Sequence, residues 1–432
     1  MKNLNLPSVS KKNIAIHISN SAERAIRQGH PWLFESGIVK QSHLGKMGDL
    51  AVIFDKNRKF LGIGLYDPDS MIRVRLLQVL KPATVGQRFF KDKLNAANQR
   101  RAPLRDADPK TTGYRLLHGE NDGMPGIVID RYAQTAVIKL YTPAWIPHLN
   151  DLLGALKSVF PAKRIVLRLS NRFKENPKGF NRTPEKPKSI SLKSSHKKRL
   201  GLYDGMILLG EKLTSPIIFH ENGLKFEVDP IHGQKTGFFL DQRDNRARVE
   251  ALAEGKSVLN VFSYTGGFSV YAGRGGAKEV VSIDASKVAT DVAKRNFSLN
   301  QPASIAKSCL HKSVTGDAFD LMIKMKKESR LFDMVIIDPP SFAHKNSQIE
   351  GALRAYKKLT RLGINLLTPN GILVQASCSS RVDTELFFET IHLAARQAGR
   401  PLKEIERSSH ALDHPIGFAE GEYLKCLFAK VR

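Results

Sequence analysis

From residue 256 onward, short apolar runs alternate with amphipathic helical stretches, and few folds accommodate that alternation. The clear runs are residues 257–262, 279–283, 332–337 and 371–376. Apolar strands separated by helical periodicity build a largely parallel sheet with helices on both faces. Two further runs, near Ile405 and at residues 423–429, follow no crossover helix in this reading and suit an antiparallel edge hairpin. Ligands of such sheets bind outside the strand carboxyl ends. The residues just past each run are therefore the ones placed to do chemistry. MVIIDPPS, residues 334–341, ends a strand on Asp338 and the rigid turn Pro339-Pro340, and QASCSS, residues 375–380, ends another on Cys378.

Residues 258–284, VLNVFSYTGGFSVYAGRGGAKEVVSID, read as strand, glycine-rich turn, helix and second strand ending in an acid. Gly266 and Gly267 permit close backbone approach to a ligand, and a helix starting near Phe268 offers its positive N-terminus. Asp284 stands where a carboxylate accepts hydrogen bonds from ribose hydroxyls. The run lacks the GxGxxG spacing of a pyrophosphate site, which favours a nucleoside cofactor without a diphosphate.

The N-terminal half differs in texture. Residues 14–80 hold alternating runs at 50–54, 60–66 and 72–77, broken by turn chemistry at 55–58 and 67–70, and predict a small β-rich unit. Residues 89–101 predict a basic helix, and strand-like alternation returns over 114–140 around a turn at 120–126. Residues 172–199 carry ten Lys and Arg against two Glu, with three prolines. That composition cannot bury a core and predicts a mobile loop able to grip phosphates or to remain solvated.

Charge narrows the partners. The chain has 68 Lys and Arg against 41 Asp and Glu, a formal net charge of +27, which points to a polyanion such as nucleic acid. Three cysteines, Cys309, Cys378 and Cys426, make neither a disulfide framework nor a paired CxxC metal site, so no metal is expected and a reducing cytoplasm is. There is no apolar signal-like segment at the start and no run approaching the roughly 18 residues of a membrane span. No membrane partner is therefore expected.

The segment RAIRQGHPWLFESGI, residues 24–38, resembles the opening of the PUA domain, a small β-barrel that binds structured RNA. Together with KTGFFLDQRDNRAR (residues 235–248), NVFSYTGGFSVYA, DPPSF and SCSS, it gives the chain a resemblance, in domain order over nearly its whole length, to the bacterial large-subunit rRNA (cytosine-C5) methyltransferases of class I. The resemblance implies an α/β protein with a PUA-like domain at 14–82, a small central α/β domain at 88–230 and a Rossmann-like methyltransferase domain at 231–432. It implies S-adenosylmethionine as cofactor, held at the methionine end by Phe262, Tyr264, Thr265, Gly266 and Gly267, at the ribose by Asp284, and near the adenine by Asp317, with Asp338 beside the reacting base. Asp317, which opens a predicted helix, also suits a helix cap. The implied partner is large-subunit rRNA or a ribosomal precursor, and a homodimer is an expectation for the assembly.

Carbon 5 of cytosine is too weak a nucleophile to take a methyl group from a sulfonium directly. A thiolate adding at C6 activates it, which makes Cys378 the candidate nucleophile and Asp338 the candidate acid at the N3/N4 edge. Cys309 and Cys426 read as buried small hydrophobes. Many RNA enzymes of this chemistry carry a second cysteine after the proline of the acid-bearing motif. Here Ser341 stands in that place, so the base that removes the C5 proton is unassigned, with His344 and Lys345 nearby. The same motifs also admit a methyltransferase acting on a base nitrogen, or a noncatalytic RNA-binding protein on the same scaffold.

Overall fold

A computed structural model describes residues 4, 6–107, 110–170, 173 and 202–432. The basic run at 172–199, Phe173 apart, lies outside the described residues. Contacts divide the chain into two compact units: residues 1–219 with 228–238 and 413–419, and residues 220–227 with 239–412 and 420–432.

In the first unit, β1 (Ile14–Ile18), β2 (Trp32–Phe34), β3 (Ile38–Gln41), β4 (Leu50–Phe54), β5 (Phe60–Tyr66) and β6 (Ile72–Val79) form a six-stranded sheet in the order β2-β6-β5-β4-β1-β3. Helix α1 (Asn20–Arg27) connects β1 to β2. The three runs expected at 50–54, 60–66 and 72–77 are β4, β5 and β6. Strand β4 alternates buried and half-buried residues, whereas β5 is buried along nearly its whole length, as a strand covered on both faces must be. Gly64 in β5 is required by sterics, since a Cβ there would lie 2.2 Å from the Arg75 carbonyl oxygen.

A second sheet comes next in the chain, built from β7 (Gly113–His118), β8 (Ile127–Tyr132), β9 (Thr135–Leu140), β10 (Arg164–Leu169) and β11 (Met206–Leu209) in the order β11-β10-β9-β8-β7. Helix α2 (Gln87–Arg100), the short α3 (Ala102–Arg105) and the crossover helix α4 (Leu149–Val159) belong to it. Helix α2 buries Phe90, Leu94 and Ala97, the i, i+4, i+7 spacing of one helical face. They share a core with Trp145 and the α4 leucines, and that core includes Leu65 of β5 and Leu77 of β6. Strands β12 (Ile217–Glu221) and β13 (Leu224–Val228) form a two-stranded ribbon.

The second unit contains the parallel sheet expected from the alternation. Strands β14 (Ser257–Val261), β15 (Glu279–Asp284), β16 (Leu310–Thr315), β17 (Phe332–Ile337), β18 (Leu367–Ser377), β19 (Leu402–Ser408) and β20 (Lys425–Val431) lie in the order β16-β15-β14-β17-β18-β20-β19. Helix α5 (Arg243–Leu252) precedes the sheet, and α6 (Gly267–Arg274), α7 (Lys287–Leu299), α8 (Ala318–Lys327), α9 (Ile349–Asn365) and α10 (Thr384–Gln397) connect its strands. The first five strands are parallel, and β20 runs antiparallel to both neighbours.

The closing pair is the antiparallel hairpin expected at the sheet edge, but helix α10 precedes β19 where no crossover helix is expected. Within the pair β20 lies inward, between β18 and β19, and β19 forms the edge. Burial explains the placement: β20 is buried along most of its length, while β19 is largely exposed. The apolar strand takes the interior position and the charged one takes the edge.

Chain order reverses at β14, whose neighbours are β15 on one side and β17 on the other. Val261 pairs with both Ile283 and Ile337, and Ile337 pairs with Gln375. The carboxyl ends of β15, β14, β17 and β18 are thereby brought level. This is the switch-point crevice of an open α/β sheet. No helix among the described residues is long and apolar enough to cross a membrane.

Candidate functional site

The turn after β14 is held by backbone conformation. Phe262, Tyr264 and Gly266 have φ of 60°, 46° and 79°, three left-handed residues within five. A non-glycine residue in that region costs roughly 1–3 kcal/mol and persists only where its surroundings impose it. Asp284 imposes it here: its Oδ2 accepts from the Tyr264 N–H at 2.8 Å, and its Oδ1 accepts from the Ser286 N–H at 2.9 Å. A carboxylate offers about four acceptor positions, so these bonds leave capacity for ribose hydroxyls. Gly266 is the residue before α6, and a Cβ on it would meet the Ala293 Cβ at 2.9 Å. From α7, Asn296 donates to the Thr265 carbonyl at 2.9 Å.

Two buried hydroxyls of this turn, on Ser263 and Thr265, have no hydrogen-bond partner among the described residues. Buried polar atoms without partners are uncommon and call for a ligand or water. Their presence beside the left-handed turn and Asp284 fits a polar nucleoside cofactor. Phe239, from the KTGFF run, packs edge-on against Tyr264 with ring centroids 5.1 Å apart. Its carbonyl accepts from Arg246, which is itself paired with buried Glu221 at 2.8 and 2.7 Å. Asp317 caps α8, its Oδ1 accepting from the N–H groups of Phe319 and Asp320. The capping role weighed for it is thus present.

The turns after β17 and β18 meet. The Cys378 thiol reaches the Pro339 carbonyl at 3.9 Å, so the two motifs singled out in the sequence are neighbours. Asp338 and Cys378 are both half-buried. A hydroxyl cluster links the turns: the Ser379 Oγ accepts from the Phe342 N–H at 3.1 Å and is hydrogen-bonded with the Ser341 Oγ at 3.2 Å and the Tyr356 hydroxyl at 2.9 Å. The Tyr356 hydroxyl is also hydrogen-bonded with the Ser377 Oγ at 2.7 Å. Ser341, the residue in place of a second cysteine, therefore ties the acid turn to the thiol turn. Burial raises the Tyr356 phenol above its ordinary value, and it remains a neutral hydrogen-bonding group.

The other two cysteines differ from Cys378. Burial pushes the Cys309 thiol up to about 11 and the Cys426 thiol well above its ordinary range, which makes both poor nucleophiles. His344 and Lys345 lie on an exposed loop, their backbone N–H groups donating to the Gln348 side chain. Sequence reasoning missed Tyr356, in the middle of α9, and Lys425, at the start of β20. Neither stands near a motif in the chain; a tyrosine on an otherwise apolar helical face and a lysine opening an apolar strand were the available signals.

Comparison with known proteins agrees with this geometry. Residues 196–421 match the S-adenosylmethionine-dependent methyltransferase family, and residues 16–78 match a PUA-like domain. A ribosomal RNA large subunit methyltransferase of Deinococcus radiodurans is 44% identical over 99% of this chain and 100% of its own length. Ribosomal RNA large subunit methyltransferase I of Pseudoalteromonas translucida is 36% identical over 96% of this chain and 99% of its own. A methyltransferase structure solved with SAH has the same fold, with a TM-score of 0.78 at 23% identity over 96% of this chain and 100% of that one. The chain belongs to the S-adenosylmethionine-dependent ribosomal RNA large subunit methyltransferase family, with a PUA-like domain at its N-terminus.

Proposed function

We propose that this protein methylates carbon 5 of a cytosine in large-subunit rRNA, with Cys378 as a covalent nucleophile. The single observation that carries the reading is the 3.9 Å approach of the Cys378 thiol to the Pro339 carbonyl, which sets a half-exposed thiol beside an acid at a strand-end crevice. Transfer to an amino group or a ring nitrogen needs no thiol. Transfer to C5 does.

S-adenosylmethionine supplies an electrophilic methyl group. The residues that would hold it are Phe262, Tyr264, Thr265, Gly266 and Gly267 along the turn, Asp284 at the ribose and Asp317 near the adenine. In the proposed reaction the Cys378 thiolate forms a bond to C6 of the cytosine, and the C5–C6 electron pair becomes available at C5. Asp338 pairs with the N3/N4 edge and, when protonated, donates to N3 as charge develops there. Once C5 carries its methyl group, loss of the C5 proton to a base returns the electron pair to the ring. As the S–C6 bond breaks and releases Cys378 as thiolate, N3 returns its proton to Asp338. Pro339 and Pro340 keep the acid turn rigid, and the Ser341, Ser379 and Tyr356 hydroxyls hold it against the thiol turn.

The PUA-like sheet and the excess of basic residues support RNA as substrate, as do the names of the relatives. Cytoplasmic residence, where thiols stay reduced, suits a free catalytic cysteine. The test is nucleoside mass spectrometry of rRNA from strains with and without the gene, combined with RNA containing 5-fluorocytosine. The expected results are 5-methylcytosine missing from the deletion strain and a stable protein–RNA adduct with the fluorinated base, because fluorine cannot leave as a proton. A methyl group found on nitrogen would sink the proposal.

A further inference from the structure

A buried lysine stands directly behind the thiol turn. Lys425 opens β20 opposite Ser377 in the β18–β20 register, one residue from Cys378, and is 3% exposed. Its Nζ donates to the carbonyls of Ser379 at 2.9 Å and Val382 at 2.5 Å, so it pins the backbone on the far side of Cys378. Those two bonds use two of the three ammonium protons. No carboxylate lies within ion-pairing distance of this Nζ among the described residues. A buried ammonium with no carboxylate in contact is disfavoured, and negative charge nearby lowers that cost.

We propose that Lys425 is a positioning residue for the methyltransferase reaction: it fixes the 379–382 turn through two carbonyls, and its charge stabilises Cys378 as the thiolate that attacks the pyrimidine. The inference rests on the reading of Cys378 as nucleophile. Burial draws the Lys425 ammonium below its ordinary value, opposed by Glu422, Asp383 and Cys378. Glu422 and Asp383 thus act on the lysine together with the thiol. Around the thiol stand the acid Asp338 and the buried phenol of Tyr356, the latter influenced by both Cys378 and Asp338. Among these groups Lys425 is the cation, so it works against the negative charge of Asp338 to keep the thiolate accessible. Arg381, exposed on the same turn, does not share the desolvated setting that gives a charge its strength.

The test measures the pH dependence of Cys378 alkylation by iodoacetamide in the full-length protein, with peptide mass spectrometry separating Cys378 from Cys309 and Cys426. In the wild type the midpoint is expected below the ordinary thiol value of about 8.5; a midpoint at or above it overturns the proposal without any variant. In Lys425→Met the midpoint should rise by about one unit or more, as loss of a nearby opposite charge does. Methylation near neutral pH should fall about tenfold with the thiolate fraction and recover as pH rises through the new midpoint. Lys425→Arg, which keeps the charge, should hold the wild-type midpoint. An unmoved midpoint in folded Lys425→Met, or an equal rise in both variants, overturns the proposal. If instead Cys378→Ala retains methylation while the alkylation midpoints behave as described, the nucleophile reading fails and the electrostatic role of Lys425 stands.

Discussion

The cofactor turn after β14 and the thiol and acid turns after β17 and β18 lie on one sheet, level with each other, yet they are built in opposite ways. The first stores backbone strain at Phe262 and Tyr264 and leaves the hydroxyls of Ser263 and Thr265 without partners among the described residues. The second links its serine hydroxyls through Tyr356, Ser341 and Ser379. A turn that wraps a ligand keeps unmet polar groups for it, whereas one that would hold a nucleophile in place, as proposed for Cys378, satisfies its groups in advance. Binding and chemistry should therefore fail separately.

The largest expected effect is on chemistry alone. Cys378→Ala should abolish methylation and trapping by 5-fluorocytosine RNA while calorimetry finds cofactor affinity unchanged. Residual turnover near the wild-type level would dissolve the distinction between the two ends of the crevice. The converse variant is Asp284→Ala, which removes the acceptor of the Tyr264 N–H and two proposed ribose hydrogen bonds, each worth about 1.5–3 kcal/mol. Cofactor affinity should drop at least about tenfold, and Cys378 should alkylate as in the wild type. Unchanged affinity in a folded Asp284→Ala protein would remove Asp284 from the ribose site.

A third effect tests the support beneath the cofactor turn. Asn260, Ser269, Ser282 and His311 form a hydrogen-bonded chain behind β14, and burial, aided by Lys294, lowers His311 from 6.5 to about 4. The unfolded chain takes up this proton first as pH falls, so the fold loses stability between about 6.5 and about 4 and no further from this group below that. The loss amounts to about 3 kcal/mol. Denaturant titrations across that range should show it in the wild type and show it diminished in His311→Gln. The smallest effect is expected at the other end, where Tyr356→Phe should cost about 1–2 kcal/mol of stability and lower kcat more than KM, by loosening the acid turn against the thiol turn. An equal change in cofactor affinity would show that the two ends are coupled after all.

Legibility in the sequence divides along similar lines. The parallel sheet was legible because buried strands and amphipathic helices carry different hydrophobic periods. The positions of Asp284 and Asp338 at strand ends were legible because each follows an apolar run in chain order. The sequence carries less at the closing pair: the hairpin itself is legible, whereas helix α10 before β19 and the order of the two strands within the pair are not. Strand order across an antiparallel closure depends on which strand can be buried on both faces, and that is a property of the whole sheet.

By itself, the sequence determined the class of fold and the strand-end positions of the glycine turn, Cys378 and Asp338, since these depend on local periodicity and on residues adjacent in the chain. The tertiary structure alone decided that Ser341 is hydrogen-bonded to Ser379 across the two turns, that Tyr356 joins them, and that Lys425 reaches the carbonyls of Ser379 and Val382 from 46 and 43 residues away. Hydrogen bonds and desolvation act through space, and a residue's distance along the chain carries no information about them.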